Sequence, residues 1–165
     1  MAHRLYNSPD TKCFVPHGHN EVVTVTLAAT NNKRLDGREN IVERFSKAKK
    51  LWHEWIDNYV DHAFQVAESD PLISFFSANE KSTLTRLMVM PGDPTTEILA
   101  VCFMAKISAF LKIQNLNLKC KDVMIEETTT NCVKFDGNPA DFFPVNCLKE
   151  RWWFRSDMSI NEFSV

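Results

Sequence analysis

Two histidines, His17 and His19, flank a single glycine, and Cys13 stands four residues before the first of them. In an extended strand side chains repeat with a period of two, so both imidazoles point to one side. Gly18 keeps the opposite side small. Two imidazoles on one side make half of a metal site, and the cysteine supplies either a third ligand or a nucleophile or base. His3 lies ten residues before Cys13, where an adjacent strand would carry it alongside. Three neutral imidazoles with one open position are the ligand set of a catalytic zinc site.

Three further groups could carry chemistry. Asp61-His62 closes an amphipathic stretch, and His62 follows Tyr59 by three residues and Trp55 by seven, so it shares their stripe. It reads either as a satisfied core histidine or as a general acid or base, the role its pKa suits. Glu127 shares strand parity with Val123 and Ile125, which would half-bury its carboxylate. Such a group either ends a strand in water or accepts a paired N–H edge in bidentate fashion. Thr95-Thr96-Glu97 opens a helix, whose first turn offers free backbone N–H groups.

These groups need elements to hold them. Residues 21–27 (Glu-Val-Val-Thr-Val-Thr-Leu) read as a strand, and Asn31, Asn32, Asp36 and Gly37 as turn chemistry after it. Ile41, Phe45, Ala48, Trp52, Trp55 and Tyr59 recur at three- and four-residue steps, predicting a helix over 41–60. Residues 84–90 form an apolar strand, ended by Pro91-Gly92-Asp93-Pro94. A second helix follows to about Ile113, with Asp93 as N-cap and Pro94 in its first position. It is apolar on more than one side, as a helix buried between layers or against a partner would be. Residues 123–127 and Cys132–Phe135 read as two last strands. Strands at both ends around two helices, with room for an added strand, give an α+β antiparallel sheet with helices on one face. The remainder holds Phe142-Phe143-Pro144 and Arg151-Trp152-Trp153-Phe154-Arg155, suited to packing on the domain or to a contact with another subunit.

Composition narrows the class. A chain of 165 residues suffices for one domain with a real core. A net charge of −2 and no basic stripe speak against nucleic acid. Five cysteines without CxxC spacing suit a reducing cytosol. No apolar run reaches the roughly 18 residues a membrane span needs. A soluble, cytoplasmic protein is expected.

In order, Ala2-His3-Arg4-Leu5, Cys13 with His17-Gly18-His19-Asn20, Val60-Asp61-His62, Asp93-Pro94-Thr95-Thr96-Glu97 and Val123 through Glu127-Thr128 resemble the 6-pyruvoyltetrahydropterin synthase / 6-carboxytetrahydropterin synthase family. The four-residue step from Cys13 to His17 is closer to the bacterial carboxy enzymes of queuosine biosynthesis. The resemblance implies a T-fold over residues 1–135: a four-stranded antiparallel sheet with two helices on one face, oligomerising into a β-barrel. Residues 136–165 would then be an aromatic extension. It implies a homo-oligomer, a trimer or a hexamer of stacked trimers, with active sites between subunits. His3, His17 and His19 would hold Zn2+. Cys13 would abstract a proton, with Asp61 and His62 as its partners across subunits. Glu127 would anchor the pterin ring, with Thr95 and Thr96 nearby. The substrate would be 7,8-dihydroneopterin triphosphate, converted to 6-carboxy-5,6,7,8-tetrahydropterin with release of acetaldehyde and triphosphate. The alternatives are the pyruvoyl product and a non-catalytic zinc- or pterin-binding paralogue. The chain begins two residues before His3, so a short first strand is expected, and Lys33, Arg34 and Arg38 are candidates for the triphosphate.

Overall fold

The computed structural model describes residues 1–9, 11–30, 35–143 and 150–163. Asn31, Asn32, Lys33, Arg34 and Pro144, named above, and Cys147, one of the five cysteines, lie outside the described residues.

The sheet is not a single antiparallel one. Strands β3 (Val22–Ala29), β6 (Leu118–Glu126) and β7 (Cys132–Phe135) make a three-stranded antiparallel sheet, ordered β3-β6-β7. A second sheet, β2-β1-β4-β5, joins β1 (Ala2–His3), β2 (His17–Gly18), β4 (Phe64–Ala67) and β5 (Leu87–Met90). There β1 pairs with β2 antiparallel, while β1–β4 and β4–β5 are parallel. Strand β5 lies within the expected strand 84–90, and β1 and β2 lie side by side as expected; β4, four residues without a readable period, and its parallel pairing were not foreseen. Its strands β4 and β5 are buried on both faces: Met88 and Met90 join the main core, while Val66, Leu87 and Val89 form a second cluster with Ile73 and Phe76. Strands buried on both faces read as continuous apolar runs without alternation.

Among the described residues, two long helices and two short ones accompany the sheets: α1 (Thr11–Phe14), α2 (Phe45–Trp55), α3 (Leu72–Asn79) and α4 (Thr96–Ile113). The first long helix starts at Phe45 rather than Ile41, because Arg44 is extended and its carbonyl accepts the first helical N–H groups. Ile41 and Val42 are left exposed. It ends in a wide π-type turn over Ile56–Val60.

Thr95, not Asp93, stands at the N-cap position of α4, where its carbonyl accepts the Leu99 N–H and its side chain makes no capping bond. The Asp93 carboxylate is taken by the backbone and side-chain N–H groups of Asn7. Along α4, the run from Leu99 to Ile107 is buried without a break, as are Phe110 and Leu111. It packs on β6 and β7, on α2, and on the turn Trp152–Phe154 of the C-terminal segment. Trp152 and Trp153 are fully buried in the same core as Trp55 and Phe103. A helix covered by sheet and by aromatic rings needs no polar face.

Inside that core sits Lys106, also fully buried. Its ammonium donates to the Trp152 carbonyl at 2.9 Å and reaches Asp157 at 3.4 Å. It lies 5.3 Å from the Phe110 ring centre. The C-terminal segment also lies against β5: Val89 N–H donates to the Ile160 carbonyl, and the Asn161 amide donates to the carbonyls of Leu84 and Leu87.

Candidate metal and ligand site

The pairing of β1 with β2 sets His3 opposite His17. Only glycine fits between them and His19: a Cβ on Gly18 would stand 2.9 Å from the Met1 carbonyl oxygen. The same carbonyl accepts the His19 N–H. His17 and His19 therefore point to one side, as the period-two argument expects.

The three rings converge, with centres 4.6 Å (His3–His17), 5.2 Å (His3–His19) and 5.1 Å (His17–His19) apart. One nitrogen of each lies within 4.8 Å of the others. His3 is buried and its Nδ1 meets the Pro94 carbonyl at 3.1 Å; His17 Nδ1 meets the Val15 carbonyl at 2.8 Å. A ring whose Nδ1–H donates to a carbonyl offers the Nε2 lone pair to a metal. The Nε2 atoms of His3 and His17 stand 3.1 Å apart. Two nitrogens bound at tetrahedral zinc lie roughly 3.3 Å apart. The donor set thus fits Zn2+, and imidazole ligands suit that ion. Burial, and next the adjoining His17, push the His3 pKa below its ordinary value, favouring the neutral ligand form.

The histidines form one wall of a cavity of about 590 Å³. Cys13, Thr95, Thr96 and Glu127 line it too. Glu127 lies one residue past β6, half-buried, and accepts a hydrogen bond from the Thr96 hydroxyl at 3.0 Å. Its backbone N–H donates to the Asn131 carbonyl, which closes the Thr-rich turn. Pro94 connects the two halves of the site, since its carbonyl fixes His3 and the next residue stands at the N-cap position of α4.

Asp61 and His62 lie elsewhere. They line an adjoining cavity of about 430 Å³ that shares His19 with the first. Asp61 Oδ2 meets His62 Nδ1 at 3.1 Å, and the two side chains are 61% and 89% exposed. His62 does not share the buried stripe of Trp55. The π-type turn shifts the helical register, Asp61 leaves it with ψ 132°, and His62 takes φ 62°. The Arg86 guanidinium holds this turn by donating to the Asn58 carbonyl at 2.9 Å.

Periodicity passed over Cys132, a second thiol on the cavity wall at the start of β7. A cysteine without a spaced partner carries no signal. It also passed over Glu21, whose carboxyl is pushed up to about 7 by burial, against the N-terminal ammonium and with Glu127. Burial, then Asp122, raises the Cys120 thiol to about 12, so it stays protonated in the core. Arg38 is exposed, and the described residues give it no contact with the cavity.

Comparison with known proteins bears on this arrangement. The sequence profile described as 6-pyruvoyl tetrahydropterin synthase matches residues 1–138. The 6-carboxy-5,6,7,8-tetrahydropterin synthase of Rickettsia typhi is 30% identical over 100 residues, 61% of this chain and 67% of that protein. The protein of the same name from Rickettsia bellii is 29% identical over 100 residues, again 61% and 67% of the two chains. The crystal structure of an uncharacterized protein from Wolinella succinogenes superposes with a TM-score of 0.64 at 18% identity, covering 83% of this chain and 92% of the other. At that identity the likeness speaks for the fold. Among the described residues no helix is long and apolar enough to cross a membrane.

Proposed function

The chain belongs to the 6-pyruvoyl tetrahydropterin synthase family, and on that premise we propose that it is a zinc-dependent lyase converting 7,8-dihydroneopterin triphosphate and one water to 6-carboxy-5,6,7,8-tetrahydropterin, acetaldehyde and triphosphate. One observation carries the reading: three converging histidines, a thiol and a half-buried carboxylate line a single cavity. The names of the Rickettsia relatives favour the carboxy product over the pyruvoyl one.

In this reading His3, His17 and His19 hold the zinc. When bound, zinc acts as a Lewis acid on oxygens of the substrate side chain, easing loss of a neighbouring C–H proton. Glu127 accepts the 2-amino and N3 hydrogens of the pterin ring in bidentate fashion. Thr96 orients that carboxylate, and Thr95 lies beside it at the start of α4. Cys13, as thiolate, takes the carbon-bound proton, because a thiolate is the reactive form of cysteine. Asp61 and His62 exchange protons with the substrate side chain. Their place in the adjoining cavity supports an assembly in which the pair of one copy serves the site of its neighbour. Residues 1–135 form the catalytic unit, and residues 136–165 extend it.

Turnover that disappears on chelation and returns with zinc is the expected result. Turnover indifferent to chelation would count against the reading.

A further inference from the structure

We infer that Arg4 is a positioning residue for Cys13, acting through the ring of Phe14; the inference rests on the role proposed for that thiol. Cys13 sits in α1, a single turn of four residues, none of them buried. A turn so short has no stability of its own, and no core burial supplies any. The contacts that tie it to the segment following β1 include a backbone hydrogen bond and a ring–cation contact. The Leu5 N–H donates to the Cys13 carbonyl at 2.8 Å. The Phe14 ring packs on the Arg4 guanidinium, with Cζ 5.3 Å from the ring centre. Tyr6 takes the same cation at 5.3 Å, and the Tyr6 and Phe14 rings lie 5.8 Å apart.

Arg4 can serve as a platform because it is itself fixed. Its Nε and Nη2 donate to the two carboxylate oxygens of Asp70, a bidentate pair. The Asp70 side chain is fully buried, and its Oδ1 also accepts the Leu72 N–H at the start of α3. A planar guanidinium pinned along one edge still presents its face to an aromatic ring, which an ammonium cannot do. Arg4 directly follows His3 in the chain. One short segment therefore holds a metal ligand and, through the next residue, the turn bearing the thiol. Sub-ångström placement of a proton-abstracting group acts on rate rather than on binding.

Phe14 is 43% exposed, so Phe14→Leu perturbs the turn and spares the core. In zinc-loaded full-length protein, Phe14→Leu should lower kcat about tenfold with KM within about twofold of wild type and zinc content unchanged. Phe14→Tyr keeps a ring over Arg4 and should restore kcat. Arg4→Lys should lower kcat at least as much. A readout independent of turnover is alkylation of Cys13 by iodoacetamide, followed peptide by peptide with Cys132 as internal reference. Loosening the turn should raise the Cys13 rate at least about threefold in Phe14→Leu, leave Cys132 unchanged, and leave Phe14→Tyr at the wild-type rate. A Cys13 rate in Phe14→Leu equal to wild type, or a loss in Phe14→Leu that Phe14→Tyr shares, overturns the inference. If wild-type protein turned nothing over, the proposed function would fail while the alkylation rates still decided this point.

Discussion

The Thr96 hydroxyl donates to Glu127 Oε1 at 3.0 Å, tying the first turn of α4 to the end of β6 across the cavity wall. In the proposed reading Thr96 aims the carboxylate, and it also lines the cavity itself. A hydrogen bond to an ionised group contributes roughly 1.5–3 kcal/mol. Thr96→Val should therefore lower kcat/KM by about ten- to a hundredfold, chiefly through KM, and Thr96→Ser should stay near wild type. Equal activity of the valine variant and wild type would remove Glu127 aiming from the account.

Among the described residues two thiols line the cavity, Cys13 and Cys132, and they should behave differently. Cys13→Ala should cost about 10² to 10⁴ in kcat, the range for loss of a positioned acid or base, while retaining zinc. Cys132→Ser should keep most of the activity. Steady-state kinetics with metal analysis on both variants checks the assignment; the reverse pattern would move the base to β7.

Lys106 makes stability depend on pH. Burial, against the pull of Asp157, lowers its pKa from 10.5 to about 8. Between those values the unfolded chain binds more protons than the folded one, so stability rises with pH there. Below about 8 the full penalty of the buried charge is present; above 10.5 it is gone. From pH 7.5 to 9.5 wild type should gain about 2 kcal/mol relative to Lys106→Met. The Cys120 thiol, raised to about 12, works in the opposite direction above its ordinary value, but it is common to both proteins and cancels. Urea unfolding at the two pH values measures the difference; parallel profiles would place the ammonium in water.

Trp152 is fully buried, donates through its indole N–H to the Val89 carbonyl at 2.7 Å, and packs beside Trp55 and Trp153. Trp152→Ala should destabilise by about 3–5 kcal/mol, the range for truncating a large core aromatic. A loss below about 1 kcal/mol would mean the C-terminal segment is dispensable to the core.

Much of the candidate site was legible because its signals are local. His17 and His19 face one way through a two-residue period, and Thr95 opens a helix whose apolar length is evident. Glu127 follows the parity of Val123 and Ile125. The rest depends on pairing between distant segments. The strand beside His17 that carries His3 was expected, but Phe-Gln-Val-Ala at 64–67 is too short to display a period, so the parallel pairing of β4 with β1 and β5 went unread. His62 left its expected face because a π-type turn changes register without a sequence mark. Asp93 lost the N-cap position to Thr95 through Asn7, a contact spanning 86 positions. Lys106 reads as a surface lysine by residue type, and only the C-terminal aromatics that cover it reveal otherwise.

The most direct test of the central claim is product identification by mass spectrometry after zinc-loaded protein is incubated with 7,8-dihydroneopterin triphosphate. The account predicts 6-carboxy-5,6,7,8-tetrahydropterin together with an equimolar yield of acetaldehyde. A pyruvoyl product without acetaldehyde, or substrate recovered unchanged, would contradict it.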